Sequence, residues 1–469
     1  MIARRLLLWW GRQTVETNNI PTAVDEILSD RFLGTTFDCA CGKRHDVRTR
    51  MVAIEPNVVE RIPGYLPSLI PGERILLVAD RNTWAAAGER LSEALGASHS
   101  VECCLLRADS SGQIHASVDL VEEILAAYPD EYDGLAAVGS GTVNDLTRAV
   151  AHRRERPYLV FATAASMNGY TSAIVALLED GLKTTRAATP PVAVFADPLV
   201  LAEAPTELTL AGLGDLISKP YCGCDWKIAS LVRGEYHCEV PDRLLSVPFA
   251  QALDVFPWLA NRDPEAITEL FRLLLVSGLS MAISGTSSPA SGAEHLLSHY
   301  WDMVRLRDGR PLNLHGAQVG VGSMVIDELY REIFELDFED ASFVQGPGVD
   351  AARRDVEERF GTLAPAVWPQ WEAKLLARTE MDLGRLREQE SLIKGEIERT
   401  LAVGRKVRSV LTAAGAPTRA EQIGVPTAEL DAAIRHGRKI RDRYTALDVA
   451  AEIGILDAFA DRFSSEGGG

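Results

Sequence analysis

The 469-residue sequence predicts an α/β domain followed by an all-helical one. Three observations carry that expectation. Up to about residue 205, short β-rich apolar runs alternate with helix-compatible stretches. Beyond it, apolar residues recur at three- and four-residue spacing over long segments. The composition, 46% hydrophobic and 24% charged, is ordinary for a globular chain, and the length suits two or three domains. The predicted units are 1–205, α/β with an N-terminal hairpin extension; 206–463, helical; and 464–469 (SSEGGG), a disordered tail.

The first ten residues place Arg4 and Arg5 before a short apolar run, Leu6 to Trp10. That run is too short for a secretory leader and no small-residue cleavage site follows, so it reads as an amphipathic lead-in or a loose arm. Next comes Cys39-Ala40-Cys41-Gly42-Lys43-Arg44-His45. The pattern looks like a zinc knuckle, yet it offers three ligands where a structural zinc takes four. Cys222-Gly223-Cys224 lies far away, so a glycine turn in a β-hairpin is the expectation here.

Arg74 to Ala79 (RILLVA) is a buried strand, followed by a helix over Thr83 to Leu95. Val101 to Leu106 is the next strand and Ser117 to Tyr128 the next helix. Gly134 to Val138 leads into a glycine-rich turn, and Tyr158 to Ala162 and Val192 to Ala196 complete the series. Such alternation builds a mostly parallel sheet with helices on both faces. In the second half helices are predicted over Glu265–Ser284, Gln318–Leu336, Glu388–Ala413 and Leu430–Arg443. Breaks fall near Pro241, Pro257, Pro289, Pro311 and Pro347. There is no internal repeat, and the two units leave a ligand cleft between them.

With 66 acidic against 48 basic side chains the net charge is −18. This argues against a nucleic-acid coat, which needs a basic surface to displace counterions. It leaves room for a local basic pocket around one anionic metabolite. No uninterrupted apolar stretch approaches the ~20 residues of a spanning helix. Seven cysteines, with Cys103 and Cys104 adjacent, do not fit a disulfide framework, so reduced thiols and a cytoplasmic location are expected.

Three sets of residues can carry chemistry. Gly139-Ser140-Gly141-Thr142-Val143-Asn144-Asp145 directly follows a strand. Glycines there admit a sharp turn and close ligand approach, and the amides opening the next helix can hold a pyrophosphate. The turn lacks the third glycine of GxGxxG, and a plain strand-to-helix turn uses the same residues. Asp80, at a strand's carboxyl end before Arg81-Asn82-Thr83, can bind an adenosine ribose and repel a 2′-phosphate, favouring NAD over NADP. It can equally support a helix start, with Asn82 or Thr83 as the cap. In the third set, SGAEHLLSH places His295 and His299 four apart, on one face of a helix. Leu314-His315-Gly316 adds another histidine and Gly212-Leu213-Gly214-Asp215 a carboxylate. One Asp and two His suit a divalent metal with open positions; a capping Asp and core histidines are the alternative.

These motifs, with Thr163-Ala164-Ala165-Ser166-Met167-Asn168-Gly169-Tyr170-Thr171-Ser172, Leu216-Ile217-Ser218-Lys219 and the late Ile440-Arg441-Asp442-Arg443-Tyr444-Thr445, occur in one order. The series resembles the sn-glycerol-1-phosphate dehydrogenases, particularly their bacterial branch, within the iron-alcohol-dehydrogenase and dehydroquinate-synthase-like superfamily. It covers the chain from the Cys39 segment to about Leu456. The resemblance implies a Rossmann-like nucleotide-binding domain, a helical metal- and substrate-binding domain, and an enzyme that reduces glycerone phosphate with NAD(P)H, NAD being favoured. It implies Asp215, His295 and His315 as ligands of one zinc or nickel ion. It places Gly139, Ser140 and Gly141, with Thr142 and Asp145, at the pyrophosphate, Asp80 and Asn82 at the adenosine half, and Thr163 and Ser166 at the nicotinamide. His299, one turn beyond His295, orients substrate, relays a proton or packs behind the site. Lys219 pairs with a carboxylate or with substrate phosphate.

The sequence departs from the family at Asn168, where relatives usually carry Asp before the glycine. The amide removes a negative charge and adds a donor, which bears on the substrate. A cyclase-type relative of dehydroquinate synthase and a non-catalytic nucleotide-binding paralogue are the alternatives. The implied partners are a small phosphorylated ketone or polyol and further copies of the same chain, as a homo-oligomer.

Overall fold

The computed structural model describes residues 20–465, apart from 110–111, 129–130, 180–181, 340, 342 and 378–379. The lead-in at Met1–Trp10 and residues 466–469 of the expected tail lie outside the described residues. The last helix, Leu456–Ser465, takes in the first two residues of that tail.

Ten strands are described. A short antiparallel hairpin pairs β1 (Thr36–Asp38) with β2 (Arg44–Asp46), as the glycine turn predicts. The central sheet contains β3 (Met51–Ile54), β4 (Arg74–Asp80), β5 (Ser100–Leu106), β6 (Gly134–Gly139), β7 (Tyr158–Ala162) and β10 (Ala193–Ala196), all parallel, in the order β3-β10-β7-β6-β4-β5. A second antiparallel hairpin pairs β8 (Ile174–Glu179) with β9 (Leu182–Ala187).

Every strand expected from the apolar runs is present. Two features were not predicted: β3, four half-buried residues whose pairing with β10 closes one edge, and the β8–β9 hairpin. Residues of β4 show why the runs are continuous. Ile75, Leu77 and Ala79 enter one apolar cluster with Ile62, Leu91 and Phe195. Leu76 and Val78 enter another, on the opposite face. A strand covered on both faces has no polar side to show.

The second of those clusters continues from the sheet into Leu213, Leu270, Leu274 and Leu279 of the helical half. The helix Pro264–Ser284 in its middle has a mean hydropathy of 1.7 over its most apolar window, enough to cross a membrane by composition and length. With 78% of that window buried inside the protein, it is the core helix around which the halves join. A third cluster, around Trp301, Ile326, Tyr330 and Leu447, fills the helical bundle.

The helices expected near Gln318 and Glu388 run over His315–Glu335 and Glu390–Ala414. The break expected near Pro241 falls at residues 234–239, and Pro241 itself stands at the start of the helix Val240–Ala252, where a missing N–H costs nothing. One expectation is corrected. The helix expected over Leu430–Arg443 runs only over Thr427–His436, followed by a 3-10 turn at Gly437–Lys439. Residues 440–445 are irregular because Arg441 and Arg443 reach across to the Lys183 carbonyl and to Ser287 and Ser291. Tertiary contacts override the apolar period there.

Glycines set the closest packing. The helices Thr206–Ile217 and His315–Glu335 touch backbone to backbone. A Cβ on Gly214 would lie 2.2 Å from the Gly316 carbonyl oxygen, and one on Gly316 would lie 1.8 Å from that of Ala211. Only side chains of zero size allow this approach, and it draws Asp215 and His315 into one neighbourhood.

Candidate active site

From β4 the chain crosses to β5 on one side and then returns to β6 on the other. The carboxyl ends of β4 and β6 therefore flank a topological switch point, where open α/β sheets bind ligands. A cleft of about 910 Å³ opens there, between the sheet and the helical half. Asp80 and Asn82 line it after β4, and Ser140, Gly141, Thr142 and Asp145 after β6. Asn168, Asp215, His295, His299 and His315 line the opposite part.

Asp80 is itself the cap of the following turn. Its Oδ1 accepts from the Asn82 and Thr83 amides, both at 2.8 Å, while its own amide donates to Thr83 Oγ1. The expected alternative cap, Asn82 or Thr83, is corrected accordingly. At the β6 turn the helix Gly141–Arg153 starts at Ser140 with no side-chain cap, leaving its first amides to the cleft. A Cβ on Gly139 would lie 2.7 Å from Val143, which keeps the turn tight.

Asp145 is paired with Arg148 at 3.3 Å. Burial pushes its carboxyl up to about 6, against the pull of Arg148 and Lys183. Arg148 also donates to the Ile174 and Tyr170 carbonyls at 2.7 and 2.9 Å, so it anchors the loop carrying Asn168. Thr163 and Ser166 are buried and do not line the cleft; Met167 and Asn168 stand in front.

Asp215 and His295 are buried, with His295 Nε2 3.7 Å from Asp215 Oδ1. The His295 ring centroid is 5.1 Å from that of His315, and the His299 ring lies 5.5 Å from His315. His295 Nδ1 donates to Glu294 Oε1 at 2.7 Å, which leaves Nε2 as a lone pair facing Asp215. Burial would raise Glu294, but hydrogen bonds from His295, Cys222 and the Gly292 amide hold it down at about 2. Ser298 donates its hydroxyl proton to Gln318 Oε1 at 2.8 Å and accepts from His315 Nδ1 at 3.1 Å. Both imidazoles therefore present Nε2 unprotonated. Burial, aided by the nearby Lys183 charge, keeps His299 and His315 well below the usual histidine range. Neutral imidazoles and one carboxylate are a donor set that fits a divalent metal.

The neighbourhood is wider than the sequence suggested. Among the described residues, ligand atoms of His299, Asp302 and His315 lie within 4.8 Å of one another, and so do those of Cys222, Glu294 and His295. His299 Nδ1 and Asp302 Oδ1 have no hydrogen-bond partner, although both are buried. Lys219 Nζ donates to Asp215 Oδ1, Ser218 Oγ and the Ala290 carbonyl, each at 3.0 Å. Its three protons are committed, so it is the carboxylate's partner and holds nothing in reserve for a phosphate. Asn168 donates twice to Asp215, from its amide to Oδ2 at 2.9 Å and from Nδ2 to Oδ1 at 3.1 Å.

Sequence reasoning missed the cations. Lys183, on β9, lines the cleft and approaches Asp302 at 4.0 Å. Arg441 and Arg443 add positive charge around His299. The two arginines stood in the late motif, but nothing local showed that they turn inward. Lys183 had no sequence signal at all.

The model for iron-containing alcohol dehydrogenases matches residues 53–205. A glycerol-1-phosphate dehydrogenase [NAD(P)+] of Geobacillus stearothermophilus is 31% identical over 87% of this chain and 94% of its own. One from Bacillus velezensis is 30% identical over 92% of this chain and 98% of its own. Among solved structures, a glycerol dehydrogenase of Schizosaccharomyces pombe superposes with a TM-score of 0.55 at 17% identity, covering 89% of this chain and 91% of that one. That last likeness shows the fold, and the fold is the one described above. Identity at this level over nearly the whole of two relatives makes the chain a member of the glycerol-1-phosphate dehydrogenase family, oxidoreductases of the iron-containing alcohol dehydrogenase type.

Proposed function

We propose that the chain reduces glycerone phosphate to sn-glycerol 1-phosphate, using NAD(P)H and one zinc or nickel ion. The observation that carries this reading is the meeting, in one cleft, of a switch-point turn with Asp215, His295 and His315. The uncapped amides after Ser140 and the small side chain of Gly141 receive the pyrophosphate. Asp80 spends Oδ1 on its own turn and keeps Oδ2 for a ribose hydroxyl, which supports NAD over NADP.

Asp215, His295 and His315 hold the metal, with Glu294 and Ser298 fixing both imidazole orientations. When bound, the metal supplies Lewis acidity toward the ketone oxygen and the nicotinamide supplies the hydride. His299, which lines the cleft, orients the substrate or relays the proton the product oxygen needs. Lys183, with Arg441 and Arg443 behind it, makes this end of the cleft attractive to a phosphate on an otherwise acidic protein. One observation favours a non-catalytic paralogue: Asp215 Oδ1 already accepts from both Asn168 and Lys219.

The test is NADH oxidation with glycerone phosphate by metal-stripped protein, with zinc or nickel restored, beside His295→Ala. The expected outcome is metal-dependent turnover that the variant loses. Binding of NADH without consumption, metal present, sinks this reading in favour of the paralogue.

A further inference from the structure

We propose that Cys39, Cys41, His45 and Cys238 bind a structural zinc ion that fastens the N-terminal hairpin to the helical half. The turn between β1 and β2 supplies two thiols and β2 supplies the imidazole. The fourth ligand, invisible in the local pattern, comes from the loop before the helix Val240–Ala252, 199 residues after Cys39.

The four ligand atoms lie within 4.8 Å of one another. Cys39 Sγ is 3.7 Å from Cys238 Sγ. His45 Nε2 is 3.2 Å from Cys41 Sγ and 3.6 Å from Cys238 Sγ. Zinc–sulfur and zinc–nitrogen bonds of about 2.3 and 2.0–2.1 Å at tetrahedral angles give edges of about 3.8 Å between sulfurs and about 3.6 Å between sulfur and nitrogen. The Cys39–Cys238 and His45–Cys238 edges already stand close to these lengths, and the Cys41–His45 edge is shorter than its ideal.

Partners around the cluster suit the same ion. His45 Nδ1 donates to the Ile283 carbonyl at 2.6 Å, and a carbonyl can only accept. The proton is therefore fixed on Nδ1, and Nε2 turns its lone pair toward the three sulfurs, as a metal-binding histidine requires. The Cys41 amide donates to Cys39 Sγ at 3.5 Å. Lys43 stands 3.2 Å over the Tyr236 ring, whose hydroxyl lies 3.6 Å from Cys41 Sγ. Three thiolates and one neutral imidazole leave a zinc site with one net negative charge, which that ammonium offsets. The soft sulfur set selects zinc over magnesium or calcium. None of the four residues lines the cleft, so this ion is separate from the catalytic one.

Cobalt is the probe. Full-length protein is stripped of metal and reloaded with Co²⁺, and its near-ultraviolet spectrum and metal content are recorded. The expected result is a thiolate-to-cobalt charge-transfer band and one metal equivalent that survive His315→Ala. A Cys39→Ser/Cys238→Ser double variant loses both that band and that equivalent. Cys222→Ser, which removes the thiol beside Glu294, retains both and serves as the control should the double variant fail to fold. Absence of the band in wild-type protein, its loss on Cys222→Ser, or a Cys39–Cys238 disulfide in the purified chain would overturn the proposal.

Discussion

Asn168→Asp should destabilise the metal-free protein and spare the metal-loaded one. Asn168 Nδ2 now donates to Asp215 Oδ1 at 3.1 Å. A carboxylate there would face a second carboxylate at the same distance. At an effective dielectric near 20 the repulsion is about 5 kcal/mol. The pair can escape by taking up one proton, which at pH 7 costs about 4 kcal/mol from an ordinary aspartate pKa. The lower figure caps the penalty. Lys219, 3.0 Å from Asp215, remains as a single positive charge against two negative ones. Unfolding entropy of roughly 2 cal/mol/K per residue over the whole chain converts the cap into a Tm loss of about 4 °C. A divalent ion bound by Asp215 would offset the added charge, so the loss should shrink in excess zinc or nickel, with tighter metal binding in the variant. The assay is a pair of thermal melts, with chelator and with metal. Equal Tm losses under both conditions would refute the charge argument, and an unchanged Tm in chelator would refute the contact itself.

Two further perturbations test the frame and its electrostatics. Gly214→Ala gains up to ~1 kcal/mol of helix propensity, but its Cβ would sit 2.2 Å from a backbone oxygen that cannot step aside. The net expectation is a loss of about 1–3 kcal/mol in urea denaturation, with weakened metal retention; wild-type stability would show that the two helices are free to separate. Asp145 has a folded pKa of about 6 against an ordinary 3.8, so folding takes up a proton between those values. The stability it contributes is complete below about pH 4 and lost as pH rises through about 6, by at most ~3 kcal/mol. Less is expected in practice, because a fifth of the side chain faces the cleft. Asp145→Asn should gain on wild type by that amount between pH 4 and 7, and parallel pH profiles would contradict the assignment.

Much of this protein was legible in order along the chain. Strands buried on both faces are continuous apolar runs, so Arg74–Ala79 and Tyr158–Ala162 declared themselves. The histidines of the Ala293–Arg307 helix also stood at a spacing that puts them on one face. Local residue types decide these features through backbone geometry, and sequence records them directly. Other features depend on pairs distant in the chain, and no local period encodes those. Cys238 completes the hairpin cluster from 199 residues away, Lys183 enters the cleft on an unpredicted hairpin, and Arg441 and Arg443 bond to Lys183, Ser287 and Ser291, far off in the chain, where a helix was expected. Gly214 and Gly316 show both sides of the division. The sequence displayed them as motif glycines, but only the crossing of two helices, with no room for a Cβ at either, explains why nothing larger fits.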